Sequence, residues 1–384
     1  MKTEQLIKSS EYCCGCSACE AVCPKGAILM SEGASGFTFP KIDEELCIDC
    51  GACLNACAFK NSSLTGEPKE VYACKTAATD IKKSSSGGAF ACIAEDFINR
   101  GGAVYGAATV KGKNGLTVKH VKAETKEELL SLLGSKYVQS DAQGCYKAVK
   151  ADLENGKAVL FSGTPCQVDG LYGYLKKNYD KLYTADIICH GVPSMKMLGD
   201  YLKTLESKSR LTAFVFRSKE IRGEMTAKAV FENGREKFIP CNASSYFYLF
   251  INGYTYRESC YACKYAGKSR VGDITLGDFW GIEEFHPEFN TDGGVSCLLI
   301  NTDKGNELFN NNESRLTFIK SDFEKVAKNN AQLKRPSKKT AKYGEIIEGY
   351  KNNGYADTER RYSKLSGSKK YISNAKLLAK KFLK

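Results

Sequence analysis

The stretch that decides the fold reads Cys13-Cys14-Gly15-Cys16-Ser17-Ala18-Cys19-Glu20-Ala21-Val22-Cys23-Pro24, and it returns as Cys47-Ile48-Asp49-Cys50-Gly51-Ala52-Cys53-Leu54-Asn55-Ala56-Cys57-Ala58. Cys47, Cys50, Cys53 and Cys57 each lie 34 residues after their counterparts Cys13, Cys16, Cys19 and Cys23. Zinc ribbons use two CxxC pairs parted by a longer loop, whereas a tight three-cysteine run followed by a fourth cysteine is the bacterial ferredoxin spacing. Three closely spaced thiolates wrap one face of a cubane, and the fourth, too far around the turn, reaches the other cubane. The expected ligation is therefore crossed: Cys13, Cys16, Cys19 and Cys57 for one 4Fe-4S cluster, and Cys47, Cys50, Cys53 and Cys23 for the other. Gly15, Ser17, Ala18, Gly51 and Ala52 keep the loops small enough for backbone N–H groups to approach cluster sulfur. The copies differ in two places. Pro24 has no equivalent at Ala58, and Cys14 fits no ligand slot, so it reads as a bystander unless the first group is shifted by one residue.

The rest of the composition agrees with a reduced, metal-binding protein. The chain has 384 residues, 42% hydrophobic and 26% charged, with 18 Cys and 35 Gly. That length buries a proper core and excludes disorder as the main state. A secreted disulfide scaffold is short and exported, and the opening MKTEQLIKSSEYCC lacks the apolar core of a signal peptide. No apolar run approaches the ~18 residues of a membrane helix. The expected compartment is the cytoplasm, where thiols stay available to soft metal centres.

Working outward, residues 61–70 (NSSLTGEPKE) form a polar break with Gly66 and Pro68. We expect a dicluster ferredoxin domain over 1–64, an oxidoreductase domain over 71–305 and a basic, largely helical region over 306–384. The fold class is α+β and α/β: a ferredoxin-like module followed by a mixed α/β domain. The pattern predicts helices at Ala89–Asn99, after a Thr125/Glu128 capping box, at Tyr146–Leu153, Val168–Lys177 and Ser194–Leu205. Strands are expected at Ala103–Ala108, Leu116–Val121, Ala158–Ser162, Thr184–Cys189, Phe214–Arg217, Asp273–Phe279 and Ser296–Asn301, with a hairpin turning at Asn233-Gly234. From Asn306 onward 19 Lys/Arg stand against 8 Asp/Glu, which supplies +11 of the net +12. The tail ends in an amphipathic stretch, Tyr371 to Lys384. It reads first as a solvated helix docked on its own domain, and second as a site for an acidic partner. No nucleic-acid-binding motif accompanies it.

Four more cysteines sit in loop-like settings: Cys166 in Gly163-Thr164-Pro165-Cys166-Gln167, Cys189 in Cys189-His190-Gly191-Val192-Pro193-Ser194, and the pair Cys260 and Cys263. Cys166 and Cys189 each follow a predicted buried strand, so both should emerge at one carboxyl edge of the sheet. Three readings compete: a redox dithiol at Cys260 and Cys263, a nucleophile at Cys166 needing one of only three histidines, or a third iron–sulfur site using all four thiolates. The third uses every residue and is preferred.

With Ser85-Ser86-Gly87-Gly88, Gly134 to Ser140, Asp273 to Gly281 and Asn301-Thr302 added to these motifs, the chain from about Val71 to about Asn306 resembles the beta subunit of coenzyme F420 hydrogenases and dehydrogenases. The resemblance implies FAD, and a 4Fe-4S cluster held by Cys166, Cys189, Cys260 and Cys263 near the flavin. It also implies that fusion to an N-terminal dicluster ferredoxin is ordinary in bacterial members.

A flavin dinucleotide needs backbone donors for its pyrophosphate. Ser86, Gly87 and Gly88, before the Ala89 helix, place small residues at a helix N-terminus. Ser135, Lys136, Tyr137 and Gln139 form a second candidate wall, and Lys136 is the candidate catalytic residue, stabilising negative charge on reduced flavin or on a hydride acceptor. Thr275, Gly277 and Asp278, beside the lone Trp280, form a third. Arg217 and Arg270 are candidates to receive an anionic substrate group. No GxGxxG fingerprint supports a nicotinamide site.

The function expected is a flavo-iron–sulfur oxidoreductase passing electrons between ferredoxin-type one-electron carriers and a small-molecule hydride donor or acceptor. The alternative is a non-catalytic electron-relay role within a larger redox complex. A homo-oligomer is compatible with either.

Overall fold

Aliphatic runs closed by glycine and charged turns set the strands. The computed structural model describes residues 1–61, 63–76, 84–206, 208–221 and 225–363. Near the amino terminus β1 (Ile28–Glu32) and β2 (Thr38–Ile42) pair as an antiparallel hairpin. The 34-residue repeat of cysteines is also a repeat of backbone. Ser17 (φ 67°, ψ 8°) and Gly51 (φ 69°, ψ 1°) stand in the left-handed region directly before the short helices Ala18–Val22 and Ala52–Asn55. A left-handed residue turns the loop sharply inside each cysteine run, a conformation that glycine adopts freely and serine only at a cost.

The core is built from β3 (Glu70–Thr76), β4 (Ala103–Gly112), β5 (Gly115–Ala123), β6 (Val159–Gly163), β7 (Leu182–Ile187), β8 (Leu211–Ser218), β9 (Thr226–Phe231), β10 (Glu236–Pro240), β11 (Ile274–Asp278), β12 (Ser296–Ile300) and β13 (Leu316–Ser321). Eight of these form one mixed sheet in the order β13-β3-β12-β11-β7-β6-β4-β5, and β10-β9-β8 form a separate antiparallel sheet. The central pairs β4–β6, β6–β7 and β7–β11 are parallel. A parallel pair needs a crossover, and the helix Pro165–Leu175 supplies it between β6 and β7.

Capping fixes where the helices begin. Thr125 Oγ1 accepts from the Glu128 N–H at 3.2 Å, and the Glu128 carboxylate accepts from the Thr125 N–H at 3.3 Å, ahead of the helix Lys126–Leu132. Thr164, with Pro165 in the first turn, opens the next crossover helix, and the Gln167 side chain accepts from the Thr164 N–H at 3.1 Å. The helix Ala89–Asn99 buries Ala89, Cys92, Ile93 and Phe97 in one cluster with Leu298 and Ile300 of β12. The hairpin at Asn233-Gly234 joins β9 to β10, and the helix Ser245–Ile251 covers the small sheet.

Secondary structure runs across the expected boundary at residue 305. That boundary falls inside the helix Asp303–Asn310, and β13, eleven residues beyond it, completes the edge of the large sheet by pairing antiparallel with β3. The basic region is therefore partly core. Its helix Lys342–Tyr362 buries Ile346, Tyr350 and Tyr355 among Tyr201, Phe214 and Phe247. The amphipathic stretch 371–384 lies outside the described residues. Among the described residues no helix is long and apolar enough to cross a membrane.

The cysteine-rich module is seated on the core. The Tyr265 hydroxyl donates to the Ala58 carbonyl at 3.0 Å, and Gly173 approaches so near that an added Cβ would stand 2.5 Å from the Ala56 oxygen.

Candidate functional site

All 18 cysteines are free thiols. Cys23, Cys47, Cys50 and Cys53 line one cavity with Pro24 and Gly51, which is the crossed set expected for the second cluster. The backbone N–H of Ala27 donates to Cys23 Sγ at 3.3 Å. In the first set, Cys19 sits near Cys13 and Cys57: burial pushes its thiol well up, and these two neighbours add to the push. A cluster of soft, free thiols with backbone donors aimed at sulfur fits an iron–sulfur centre.

The core constellation also converges. β6 and β7 lie side by side and parallel, with Gly163 opposite Asp186, so Cys166 and Cys189 leave the sheet at the same carboxyl edge. Together with Cys260 and Cys263, on and after the turn Glu258–Ala262, they line a cavity of about 60 Å³. Burial pushes the Cys189 thiol up to about 11, against the pull of the Gly191 N–H. The thiols of Cys260 and Cys263 are raised by burial too, each opposed by a backbone N–H, from Val192 and Tyr265. Thiols so placed stay protonated unless a metal takes the proton's position. Cys14 lines this same cavity, which brings the first ferredoxin loop against the core site.

A far larger cavity, about 490 Å³, adjoins it. Ser140, Thr164, Gln167 and the run from Cys189 to Val192 line both, so the two cavities share a wall. Ser86, Gly88, Ser135, Lys136, Tyr137, Gly277 and Asp278 all line the large cavity, as does Trp280. Ser85 Oγ and Ser135 Oγ are 2.8 Å apart and join two of the expected walls. The buried Ser84 hydroxyl, at the cavity wall before the Ala89 helix, has no hydrogen-bond partner among the described residues. A space of this size with an unsatisfied hydroxyl in the loop before a helix N-terminus fits a dinucleotide phosphate.

Three expected contacts fall elsewhere. Thr275 is fully buried further back along β11, where its hydroxyl accepts from Arg270 Nε and the Asn301 amide. Gly87 packs beneath the wall: its N–H donates to Ser296 Oγ at 2.9 Å, and a Cβ there would meet the Cys74 oxygen at 2.3 Å. Gln139 faces the cysteine cavity instead, its amide donating to the carbonyls of Cys14 and Gly15. The two arginines are also committed: Arg217 binds both oxygens of Asp278, at 2.9 and 2.8 Å, and Arg270 pairs with Asp186.

Lys136 caps the preceding helix while lining the cavity. Its ammonium donates to the carbonyls of Ser131, Leu132 and Leu133 at 3.1, 2.7 and 2.8 Å, and burial pulls it down to about 7. His120, one of the three histidines weighed as a base but in no expected cavity wall, is a cavity residue whose Nε2–H donates to the Ser162 carbonyl and whose Nδ1 meets Ser140 Oγ. Burial pulls it to about 4, so it is neutral. A lone histidine within β5 carries no motif to announce it.

A dicluster cysteine module seated on a mixed sheet with a second thiol site defines an iron–sulfur electron-transfer protein of the oxidoreductase type. Residues 156–325 match the family described as the C terminus of the beta subunit of coenzyme F420 hydrogenase/dehydrogenase, and residues 12–61 match the 4Fe-4S dicluster domain. The match to the beta-subunit family covers less than half of this chain, and the dicluster match lies ahead of it at the N-terminus. An uncharacterised protein of Methanocaldococcus jannaschii is 27% identical over 214 residues, 47% of this chain and 59% of its own length. One component of the sodium-translocating ferredoxin:NAD oxidoreductase complex of Acetobacterium woodii is 41% identical over 59 residues, 15% of this chain and 16% of its own length. The chain thus spans less than two thirds of either relative. The F420-reducing nickel–iron hydrogenase complex of Methanosarcina barkeri contains a chain that superposes with a TM-score of 0.45 at 17% identity, over 78% of this chain and 92% of that one.

Proposed function

We propose that the chain is a flavo-iron–sulfur oxidoreductase that passes electrons between ferredoxin-type one-electron carriers and an organic hydride donor or acceptor. The observation that carries this reading is the shared wall: Cys189, His190 and Gly191 line both the core thiol cavity and the large cavity. When bound, 4Fe-4S clusters supply one-electron transfer, and FAD exchanges single electrons for a hydride equivalent.

The residues divide that work by position. Cys13, Cys16, Cys19 and Cys57 hold one cluster, Cys23, Cys47, Cys50 and Cys53 a second, and Cys166, Cys189, Cys260 and Cys263 a third. Ser84 and Ser135 offer hydroxyls for the dinucleotide, and Ser86, whose own hydroxyl donates to the Gly277 and Val295 carbonyls, sets Gly277 beside them. Arg217 Nη1, shared between both oxygens, fixes the Asp278 carboxylate in place, and the Arg217 guanidinium lies 5.3 Å from the Trp280 ring centroid. Lys136 places a positive charge where negative charge grows on reduction. Ile187, Met225 and Ile251, each well exposed at the cavity wall, give the organic substrate an apolar approach.

Steady-state turnover of the anaerobically purified protein tests the reading. With reduced viologen as donor and a panel of hydride acceptors, an oxidoreductase turns over once a fitting acceptor is offered, and FAD is released on denaturation. Protein that takes up electrons but turns over with none of them, and releases no flavin, is an electron relay instead.

A further inference from the structure

Arg257 is among the largest fully buried side chains, 1% exposed, and no carboxylate pairs with it among the described residues. Its fork is spent on the first ferredoxin loop. Nε donates to the Cys13 carbonyl at 2.5 Å, and Nη2 donates to Cys13 Sγ at 3.3 Å and to the Thr38 carbonyl at 2.9 Å. Nη1 donates to Gln139 Oε1 at 3.1 Å, and the Phe39 ring centroid lies 4.3 Å from the guanidinium carbon. Gly15 makes room: a Cβ there, at φ +67°, would stand 2.8 Å from Arg257 Nη1. Behind the side chain, the Arg257 carbonyl accepts from the Cys260 N–H at 2.9 Å. One residue thus touches a thiol of the ferredoxin module and the turn that carries a thiol of the core.

A buried guanidinium without a counter-charge is unfavourable unless other groups satisfy it. Carbonyls and an aromatic face offset part of that, and the remaining partner is the Cys13 sulfur. A cubane held by thiolates gains negative charge on reduction, and both a nearby cation and an N–H donor to ligand sulfur favour the reduced form.

We propose that Arg257 is a positioning residue that raises the reduction potential of the cluster held by Cys13, and so favours an electron resting on that ferredoxin cluster, beside the core thiol site. The proposal rests on the functional reading above for Cys13 as a ligand. Its test does not rest on turnover.

Potentiometric titration followed by electron paramagnetic resonance is run on the full chain and on Arg257→Gln and Arg257→Lys, with iron counted in each. The signal belonging to this cluster is the one lost in Cys57→Ala. The expected result is an iron count equal to wild type and a selective negative shift of that signal in Arg257→Gln. A tenfold change in its reduction equilibrium corresponds to about 59 mV for one electron. Arg257→Lys, which keeps the charge but loses the fork, should recover at least half of the shift. Unchanged potentials at full iron content, or equal shifts in the two variants, would overturn the proposal. If Arg257→Gln loses iron, Arg257→Lys decides alone: retained iron and a potential near wild type support the charge, and the same loss of iron contradicts it. A wild-type chain with no signal assignable to Cys57 refutes the ligand reading instead, and is recognised before any arginine variant is made.

Discussion

Arg270 Nη2 lies 2.8 Å from Asp186 Oδ1, with the two side chains 2% and 0% exposed. Asp186 stands one residue before the carboxyl end of β7, and its other oxygen accepts from the backbone N–H groups of Val271 and Gly272. The pair ties the loop before β11 to the strand that delivers Cys189, and Arg270 itself lines the thiol cavity. Removing one partner leaves a buried charge uncompensated. Arg270→Met or Asp186→Asn should therefore lower stability by about 3–5 kcal/mol, read as an earlier urea midpoint. A loss under about 1 kcal/mol would mean that the pair is not structural.

Gly87 is held by backbone on two sides. An added Cβ would stand 2.3 Å from the Cys74 oxygen and 2.6 Å from the Ser296 nitrogen, neither of which can swing away. Gly87→Ala should cost about 1–3 kcal/mol and lower the thermal midpoint, and because it displaces Ser86 it should also loosen flavin retention. A variant melting with wild type would show that the wall relaxes freely.

The dicluster ligands and the carboxyl-edge thiols were legible because their signals are local. Spacing within seven residues sets which thiols meet, and strand ends followed by Thr164-Pro165 and by Gly191 mark where chains leave a sheet. The helix Ala89–Asn99 was readable from end to end because Gly88 stops the backbone on one side and its apolar residues repeat on one face. What escaped is long-range. β13 precedes the basic part of the tail and is grouped with it by the charge count, although residues 306–325 are nearly neutral, and its partner β3 is some 240 residues earlier. Thr275 and Gly277 share one face of β11, yet the cavity opens beyond the carboxyl end of the strand and only Gly277 reaches it. Arg257 meets Cys13 across 244 residues of sequence, and no local pattern records such a contact.

Lys136 gives a pH signature. Burial pulls it down to about 7, so it is a cation below that value and a neutral amine above it. Any contribution of its charge is present at low pH and fades as pH rises through about 7. Wild-type turnover should fall across that interval, Lys136→Arg should flatten the profile, and Lys136→Met should slow turnover about 10²-fold at pH 6. A break that persists in Lys136→Arg would assign it to another group.

Crossed ligation separates residues that are neighbours in sequence. Cys57→Ala and Cys16→Ala should abolish the same paramagnetic signal, and Cys23→Ala and Cys53→Ala the other. If Cys57→Ala instead pairs with Cys53→Ala, each run holds its own cluster and the crossing is wrong.

The core thiol site beside the large cavity is the claim on which the rest turns, and counting iron and flavin in anaerobically purified wild type and Cys263→Ala tests it most directly. The account gives about twelve iron atoms and one FAD per wild-type chain, and about eight iron atoms in the variant with both ferredoxin signals intact. About eight iron atoms in both proteins would contradict it.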